Sequence, residues 1–489
     1  MEGNMKICLL NDSFPPVIDG VVNVLLNYAD YLRRCHGAGI IVGTPEYPGA
    51  DYDAYEYPVV AYPSLDTAAV TNGYRTGNPF SEKEISELAS FAPDIIHSHC
   101  PASSTVIGRI LREETGAPLV MTYHTKYDID IRRFMKIRSV ADETIRVMVS
   151  NIEACDEVWT VSRGAAESLR ELGYEGDCIV MSNGVDFAKG RVGSEAVRTA
   201  TEGYDLPEGI PVFLYVGRLI TYKGLPLILD ALERLAAQGK DFRMVFVGGG
   251  PDGEMLEKKA DTPGLRNKCI FTGPIYDRDV LRAWNTRADL FLFPSTFDTN
   301  GLVVREAAAC GLASVLIRDS CAAEGITDGR NGFLIEETPE AMAAFLKEAC
   351  GNLSQLHDAG QHAMDEIYLS WQECTARAYA RYQQIIDRKK SGLLASRKKL
   401  PSDYLVSMTA RGMQEWEQLR RKREDWRQQF REYTQGMMDN IASAEDTADL
   451  LSALVPDRRI AEMEKHIERL EKKIEKRQGT KTDGEDQTI

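Results

Sequence analysis

At 489 residues, with 43% hydrophobic and 27% charged residues, the chain has the make-up of a globular protein too long for a single core. A formal net charge of −16 excludes a general nucleic-acid binder. Ten cysteines without a single C-x-x-C exclude a disulfide frame or a zinc module and read as reduced thiols of a cytosolic protein.

The charge is uneven. Residues 1–387 carry 36 Lys+Arg against 55 Asp+Glu, a net of −19, whereas residues 388–489 carry 22 against 19, a net of +3. The opening MEGNMKICLLNDSF has too short an apolar run for a signal peptide. No apolar stretch reaches the length of a membrane span, so any membrane contact is expected to be peripheral.

In chain order, KICLL (6–10) reads as a buried strand. The loop NDSFPPVIDG follows it, and then VVNVLLNYADYLRRC with apolar residues at helical spacing. Gly20 sits where that helix starts, where backbone can approach a ligand closely; a plain strand-to-helix turn accounts for it equally. GIIVGTP, PDIIHSHCP and APLVMTYHT read as further strands, and EVWTVS leads into a helix capped by Ser162. Strands alternating with helices imply a doubly wound parallel sheet, with ligands beyond the carboxyl ends of its strands. His97 and His99 share one strand face but lack a third ligand, so no metal site is assigned. His124, at the end of its strand, can hydrogen-bond a sugar hydroxyl or serve as a core residue.

A polar linker at roughly 188–208 separates this half from a second set of strands: PVFLYVGR, FRMVFVGGGP, KCIFTGPI, DLFLFP, ASVLI and NGFLI. Two such domains facing each other leave a ligand cleft between them. Arg218 and Lys223 follow the first of these strands and can neutralise a diphosphate without metal, or stand as solvated surface cations. Gly248, Gly250 and Gly253 match G-x-G-x-x-G, but Pro251 and the lack of an acid after IFTG argue against a dinucleotide site. The D-x-D pairs Asp51/Asp53 and Asp128/Asp130 are commonplace in a chain with 74 acids.

The stretch PSTFDTNGLVVREAAACG (294–311) carries the densest chemistry. It predicts a helix of about ten residues with Leu302, Val303, Ala307 and Ala308 toward the core, stopping at Gly311. Asp298 and Glu306 offer two carboxylates to hydroxyl groups, and Asn300 and Gly301 open the helix where free amides favour an anion. A nucleotide sugar presents hydroxyls and phosphates together. A bare strand–turn–helix unit with two surface acids fits the spacing as well.

SWQECTARAYARYQQII, about 370–386, is amphipathic and is expected to pack the second domain's end back onto the first. Beyond the basic run RKKSGLLASRKKL, a stripe of Trp416, Leu419, Trp426, Phe430, Tyr433 and Met437 is flanked by arginines. It suits an anionic membrane, a second helix or the protein's own body. A shorter stripe, Ile460 to Ile474, precedes an end of disordered composition.

Together these residues resemble the family 4 glycosyltransferases, whose GT-B fold sets two Rossmann-like domains face to face. The resemblance spans about residues 5–390 and rests on VGRLITYKG, GGGP, FTGPI, the 294–311 stretch, DGRNGFL, FPPVIDGVV, DIIHSHCP, TYHTKYD and SNGVDF. It implies an α/β chain with an N-terminal acceptor domain at 1–190, a donor domain at 208–369, a crossing helix at 370–388 completing the first domain, and an added helical tail at 389–489.

The resemblance also implies retaining, metal-independent transfer from a nucleoside-diphosphate sugar. Glu306 would hold the ribose hydroxyls and Asp298 would lie near the donor sugar, although the family more often has glutamate there. Arg218 and Lys223 would hold the diphosphate. Gly217, Asn300, Gly301 and Leu302 would line the donor with backbone, Ile275 would lie against the base, and Gly20 would reach the donor from the opposite domain. His124 would contact the donor sugar. Asp19-Gly20 stands where the family has Gly-Gly.

DGVV, TYHTKYD and DTNGLVVREAAACG look most like bacterial transferases that glucosylate diacylglycerol. The expectation is a hexosyl transfer from UDP-glucose to a lipid at the cytoplasmic face of the cell membrane. Arg132, Arg133, Lys136, Arg138, Trp416, Trp426 and Phe430 are the candidate membrane contacts, and the tail is a candidate for self-association. A soluble acceptor or GDP-mannose is the nearest alternative, a sugar-phosphate epimerase a more distant one. A non-catalytic scaffold working through its tail is the alternative of another class.

Overall fold

The computed structural model describes residues 4–394, apart from 18, 68–73 and 136, together with the isolated positions 406, 408, 409, 412 and 428. The tail stripes built on Trp416, Trp426 and Phe430, and Lys136, lie outside the described residues.

The first sheet is built from β1 (Lys6–Leu10), β2 (Gly39–Pro45), β3 (Val59–Tyr62), β6 (Ile95–Ser98), β7 (Leu119–Tyr123), β8 (Glu157–Thr160) and β9 (Cys178–Val180). A small antiparallel hairpin, β4 (Ser64–Asp66) and β5 (Arg75–Gly77), stands apart from it. The seven strands run parallel in the order β3-β2-β1-β6-β7-β8-β9. Helices cover both faces, which is why Ile7, Cys8, Leu9 and Leu10 are all buried and the strand reads as an unbroken apolar run.

The second sheet comprises β10 (Val212–Val216), β11 (Arg243–Val247), β12 (Cys269–Gly273), β13 (Leu290–Phe293), β14 (Ser314–Ile317) and β15 (Phe333–Ile335). Its order is β12-β11-β10-β13-β14-β15, again parallel. The strand order reverses between β1 and β6 in the first sheet and between β10 and β13 in the second. At such a reversal neighbouring loops leave in opposite directions and open a crevice. The loops after β10 and β13 carry Arg218, Lys223 and Asp298, so the fold places the candidate residues at the crevice.

Local signals account for the helix ends. The Asp19 side chain accepts a hydrogen bond from the Val22 amide at 2.7 Å and starts Gly20–His36, which ends on a left-handed Gly37. The linker holds a short helix, Ser194–Ala200, with no buried residue. Lacking an apolar face, it gives the sequence no periodicity.

The helix Trp371–Lys390 opens with a capping box formed by Ser370 and Glu373. It packs Trp371, Cys374, Ala378, Tyr382 and Ile385 into the first domain's core beside Ile7, Leu9, Tyr28 and Trp159. Tyr382 stacks on Trp159 with ring centroids 5.2 Å apart, and Arg381 pairs with Glu157 at 2.6 Å. Among the described residues, no helix is long and apolar enough to cross a membrane.

Tyr382 is fully buried and its hydroxyl is hydrogen-bonded to His97 Nδ1 at 2.5 Å. Tyr382→Ala should lower stability by about 3–5 kcal/mol and Tyr382→Phe by about 1 kcal/mol. Denaturant unfolding monitored by circular dichroism checks both values.

Candidate active site

The chain leaves β13 through Pro294–Asn300 and enters the helix Leu302–Ala309. Gly301 makes the turn with φ 58° and ψ 53°, and a Cβ there would lie 3.0 Å from that of Ala322. Left-handed backbone in a tight spot selects glycine. This turn sets the phase of the helix. Val304, Ala307, Ala308 and Ala309 are buried, whereas Leu302 and Val303, expected toward the core, are only partly so. The helix has eight residues rather than ten and ends before the left-handed Gly311.

Asp298 meets Lys223 directly: Lys223 Nζ donates to its two carboxylate oxygens at 2.9 and 3.1 Å, and the Ser295 hydroxyl donates to Oδ2 at 2.5 Å. Lys223 stands on a 3-10 turn, Thr221–Lys223, whose first residue is held by Asp252 through backbone and hydroxyl. Arg218 is exposed beside Gly217. Ile275 is half-buried against the second core. Both polar atoms of the Asn300 side chain are buried with no hydrogen-bond partner, an amide left for something else to satisfy.

Glu306 lies deeper, with 14% of its side chain exposed. Its Oε1 accepts from Arg278 Nη2 at 2.6 Å, and Arg278 also pairs with Asp186 and covers the Phe187 ring at 4.3 Å. Burial raises the pKa of Glu306 from its ordinary value, and the Arg278 charge works against that rise. Arg278 was not among the residues expected at the site. A buried carboxylate is held charged by a cation close by, but nothing local in the sequence singles out Arg278 as that cation.

From the first domain, His124 is buried, with Nε2 hydrogen-bonded to His99 Nδ1 at 2.9 Å. His97 spends both ring nitrogens on Tyr382 and Thr122, while His99 Nε2 is buried without a partner. Three residues of this domain grip the loop after β13. The Thr299 hydroxyl donates to the His124 carbonyl, the Ser162 hydroxyl donates to the Thr299 carbonyl at 2.6 Å, and Lys126 Nζ donates to the Thr296 carbonyl at 3.2 Å. Ser162 keeps its capping bond to Ala165 at 3.0 Å as well. Lys126, Ser162 and Thr299 escape a one-dimensional reading because their partners lie more than a hundred residues away.

Gly20 is exposed with open space around it, but the Asp19 carboxylate already occupies the Val22 amide and puts negative charge at that helix start. The glycine-rich GGGPDG serves backbone packing: a Cβ on Gly248 would fall 1.9 Å from the Gly217 carbonyl oxygen. Among the described residues, no three metal-binding side chains converge. Arg132 and Arg138 share Asp142, at 2.6 and 3.9 Å, and Arg133 belongs to the helix Tyr127–Phe134.

Comparisons with known proteins agree with this architecture. The family description "Glycosyltransferase Family 4" matches residues 18–189, and "Glycosyl transferases group 1" matches residues 198–364. A D-inositol 3-phosphate glycosyltransferase of Catenulispora acidiphila is 29% identical over 301 residues, which make up 59% of this chain and 69% of that protein. The α-monoglucosyldiacylglycerol synthase of Acholeplasma laidlawii is 22% identical over 346 residues, 69% of this chain and 86% of the synthase. The structure of Anabaena HepE in complex with UDP and glucose superposes with a TM-score of 0.61 and 20% identity, covering 78% of this chain and all of that one. The chain is a glycosyltransferase of the GT-B type. Its first half matches the family 4 description and its second half the group 1 description, and its two parallel sheets are the two Rossmann-like domains of the GT-B fold.

Burial pushes His124 down to about 3, so the ring should stay neutral at every pH at which the enzyme works. Imidazole nitrogen shifts in a proton–nitrogen NMR titration should show no protonation of His124 between about pH 5 and about pH 8.

Proposed function

We propose that the protein is a retaining, metal-independent transferase that moves a hexose, glucose from UDP-glucose, onto a lipid acceptor such as diacylglycerol at a membrane surface. The observation that carries the transfer chemistry is the pairing of Lys223 with Asp298 across the two loops that flank the reversal of the second sheet. In this reading Glu306 accepts from the ribose hydroxyls, and the amides at Asn300, Gly301 and Leu302 face the diphosphate with the positive end of their helix behind them. Arg218 and Lys223 neutralise the diphosphate. Lys223 then shares its charge between Asp298 and phosphate, which leaves Asp298 facing the sugar.

The bond from the anomeric carbon to the diphosphate oxygen breaks on the face where the acceptor oxygen arrives. The acceptor's proton passes to the departing phosphate oxygen, so no separate general base is required. Neutral His124, fixed through His99 and through its own carbonyl, offers the donor sugar a hydrogen bond rather than a charge.

UDP-glucose as donor is supported by the Anabaena neighbour solved with UDP-glucose, and a glycolipid product by the Acholeplasma relative's name. In this reading the enzyme works peripherally at the cytoplasmic face, with Arg132, Arg133 and Arg138 as the basic contacts. The Catenulispora relative, whose name gives inositol phosphate as acceptor, favours a soluble acceptor as the second reading.

A screen of purified protein with UDP-, GDP- and ADP-sugars against lipid extract and soluble polyols tests both. The first reading requires a labelled glycolipid from UDP-glucose. A product only with polyols, or only from GDP-mannose, favours the second. Glu306→Gln should weaken donor binding by about tenfold or more, and Asp298→Asn should act mainly on turnover. Lys223→Ala and Arg218→Ala should each lower turnover by roughly a hundredfold. EDTA should leave the rate unchanged, whereas activity lost to EDTA and restored by magnesium or manganese would overturn the metal-independent part.

A further inference from the structure

Arg278 is the first residue of the helix Arg278–Arg287, whose cap is Asp277 accepting from the Asp279 and Val280 amides at 2.9 and 3.1 Å. A cation there faces the positive end of the helix dipole and costs that helix stability. Its place is explained by what it reaches. The guanidinium bridges Glu306 on the helix Leu302–Ala309 and Asp186 in the segment that follows β9, with the Phe187 ring beneath it.

Among the described residues Glu306 is engaged through Oε1 alone, which leaves Oε2 for another donor. The charged and titratable groups around Glu306 are Arg278, Asp186 and, at the C-cap of its own helix, Cys310. Arg278 is the one cation among them, and the nearby Asp186 carboxylate repels a second negative charge.

We infer that Arg278 is a positioning residue for nucleotide binding, holding Glu306 as a carboxylate with one oxygen turned to the ribose of the donor. The inference rests on the donor-site reading above. The nucleotide need not touch Arg278: the ribose hydroxyls donate to Glu306, and Arg278 keeps that acceptor charged and fixed in rotamer. Without it Glu306 would be a buried acid beside another acid, with nothing to offset the rise in its pKa that burial and Asp186 cause, so that it holds its proton to higher pH. A carboxylic acid offers the ribose a weaker acceptor than a carboxylate does.

The test is calorimetric titration of the full-length protein with UDP, GDP and ADP, followed by titration of Arg278→Gln and Arg278→Lys with whichever nucleotide binds, from about pH 6 to about pH 9. Comparing variant with wild-type protein at each pH cancels the titration of the nucleotide itself. For Arg278→Gln the ratio of dissociation constants should be roughly ten or more at the acid end and fall toward unity at the alkaline end. The sign follows from a raised carboxyl pKa: the binding form is regained as pH rises. Arg278→Lys should stay close to wild type throughout, and circular dichroism melts confirm that both variants fold.

A ratio for Arg278→Gln that is elevated but constant with pH would overturn the inference, since a merely structural role or a direct phosphate contact predicts that result. A ratio of unity at every pH would overturn it too. Wild-type protein that binds none of the three nucleotides would remove the donor-site reading and this inference with it, and is distinguished by needing no variant.

Discussion

Two parallel sheets on one chain have to be joined, and the site depends on how the joint is made. The chain passes from the first domain to the second just after β9 and returns ahead of the helix Trp371–Lys390. At that place Val185 donates to the Leu369 carbonyl at 2.9 Å and forms a parallel bridge with Ser370. The two passages lie side by side as a single strut. Because the returning helix then buries Trp371, Tyr382 and Ile385 in the first domain's core, the second domain is tied to the first at both ends of its sequence. The grip of Lys126, Ser162 and the His124 carbonyl on the loop after β13 adds a third tie, from the crevice side. The same strut brings Asp186 within reach of Arg278, so the joint also enters the electrostatics of Glu306.

Two opposite-charge pairs are formed before any ligand arrives, while Arg218 stands exposed. Lys223 is neutralised by Asp298 and Glu306 by Arg278, both pairs partly withdrawn from water. Pairs of this kind add little net stability, because desolvation offsets most of the attraction. Their use lies in geometry: side chains held in one rotamer need not be ordered when substrate binds. The unpartnered Asn300 amide and the second oxygen of Glu306 mark where polar groups of a ligand would complete the network.

Much of this was legible in the sequence. Alternating buried strands and helices gave both sheets because parallel strands covered on two faces have to be apolar throughout, as KICLL, VFLYV and LFLF are. The loop after β13 was legible for a different reason: a glycine turn opening a helix, with two acids around it, is local in sequence. What depends on distant partners was not. The Lys223–Asp298 pair joins residues 75 positions apart, and the Thr299–His124 bond spans 175. Arg278 carries no local mark in the sequence, since its partners Glu306 and Asp186 lie 28 and 92 positions away. On the helix Leu302–Ala309 the expected residues do face the core, Ala307 and Ala308 fully buried and Leu302 and Val303 packed against it but only partly covered.

The central claim is that this crevice transfers a hexose with its anomeric configuration kept. Proton NMR of the purified product formed from UDP-glucose and diacylglycerol in the presence of EDTA tests it most directly, through the coupling of the anomeric proton. An α-linked glucoside is the predicted result. A β-linked glucoside would contradict the proposed same-face mechanism.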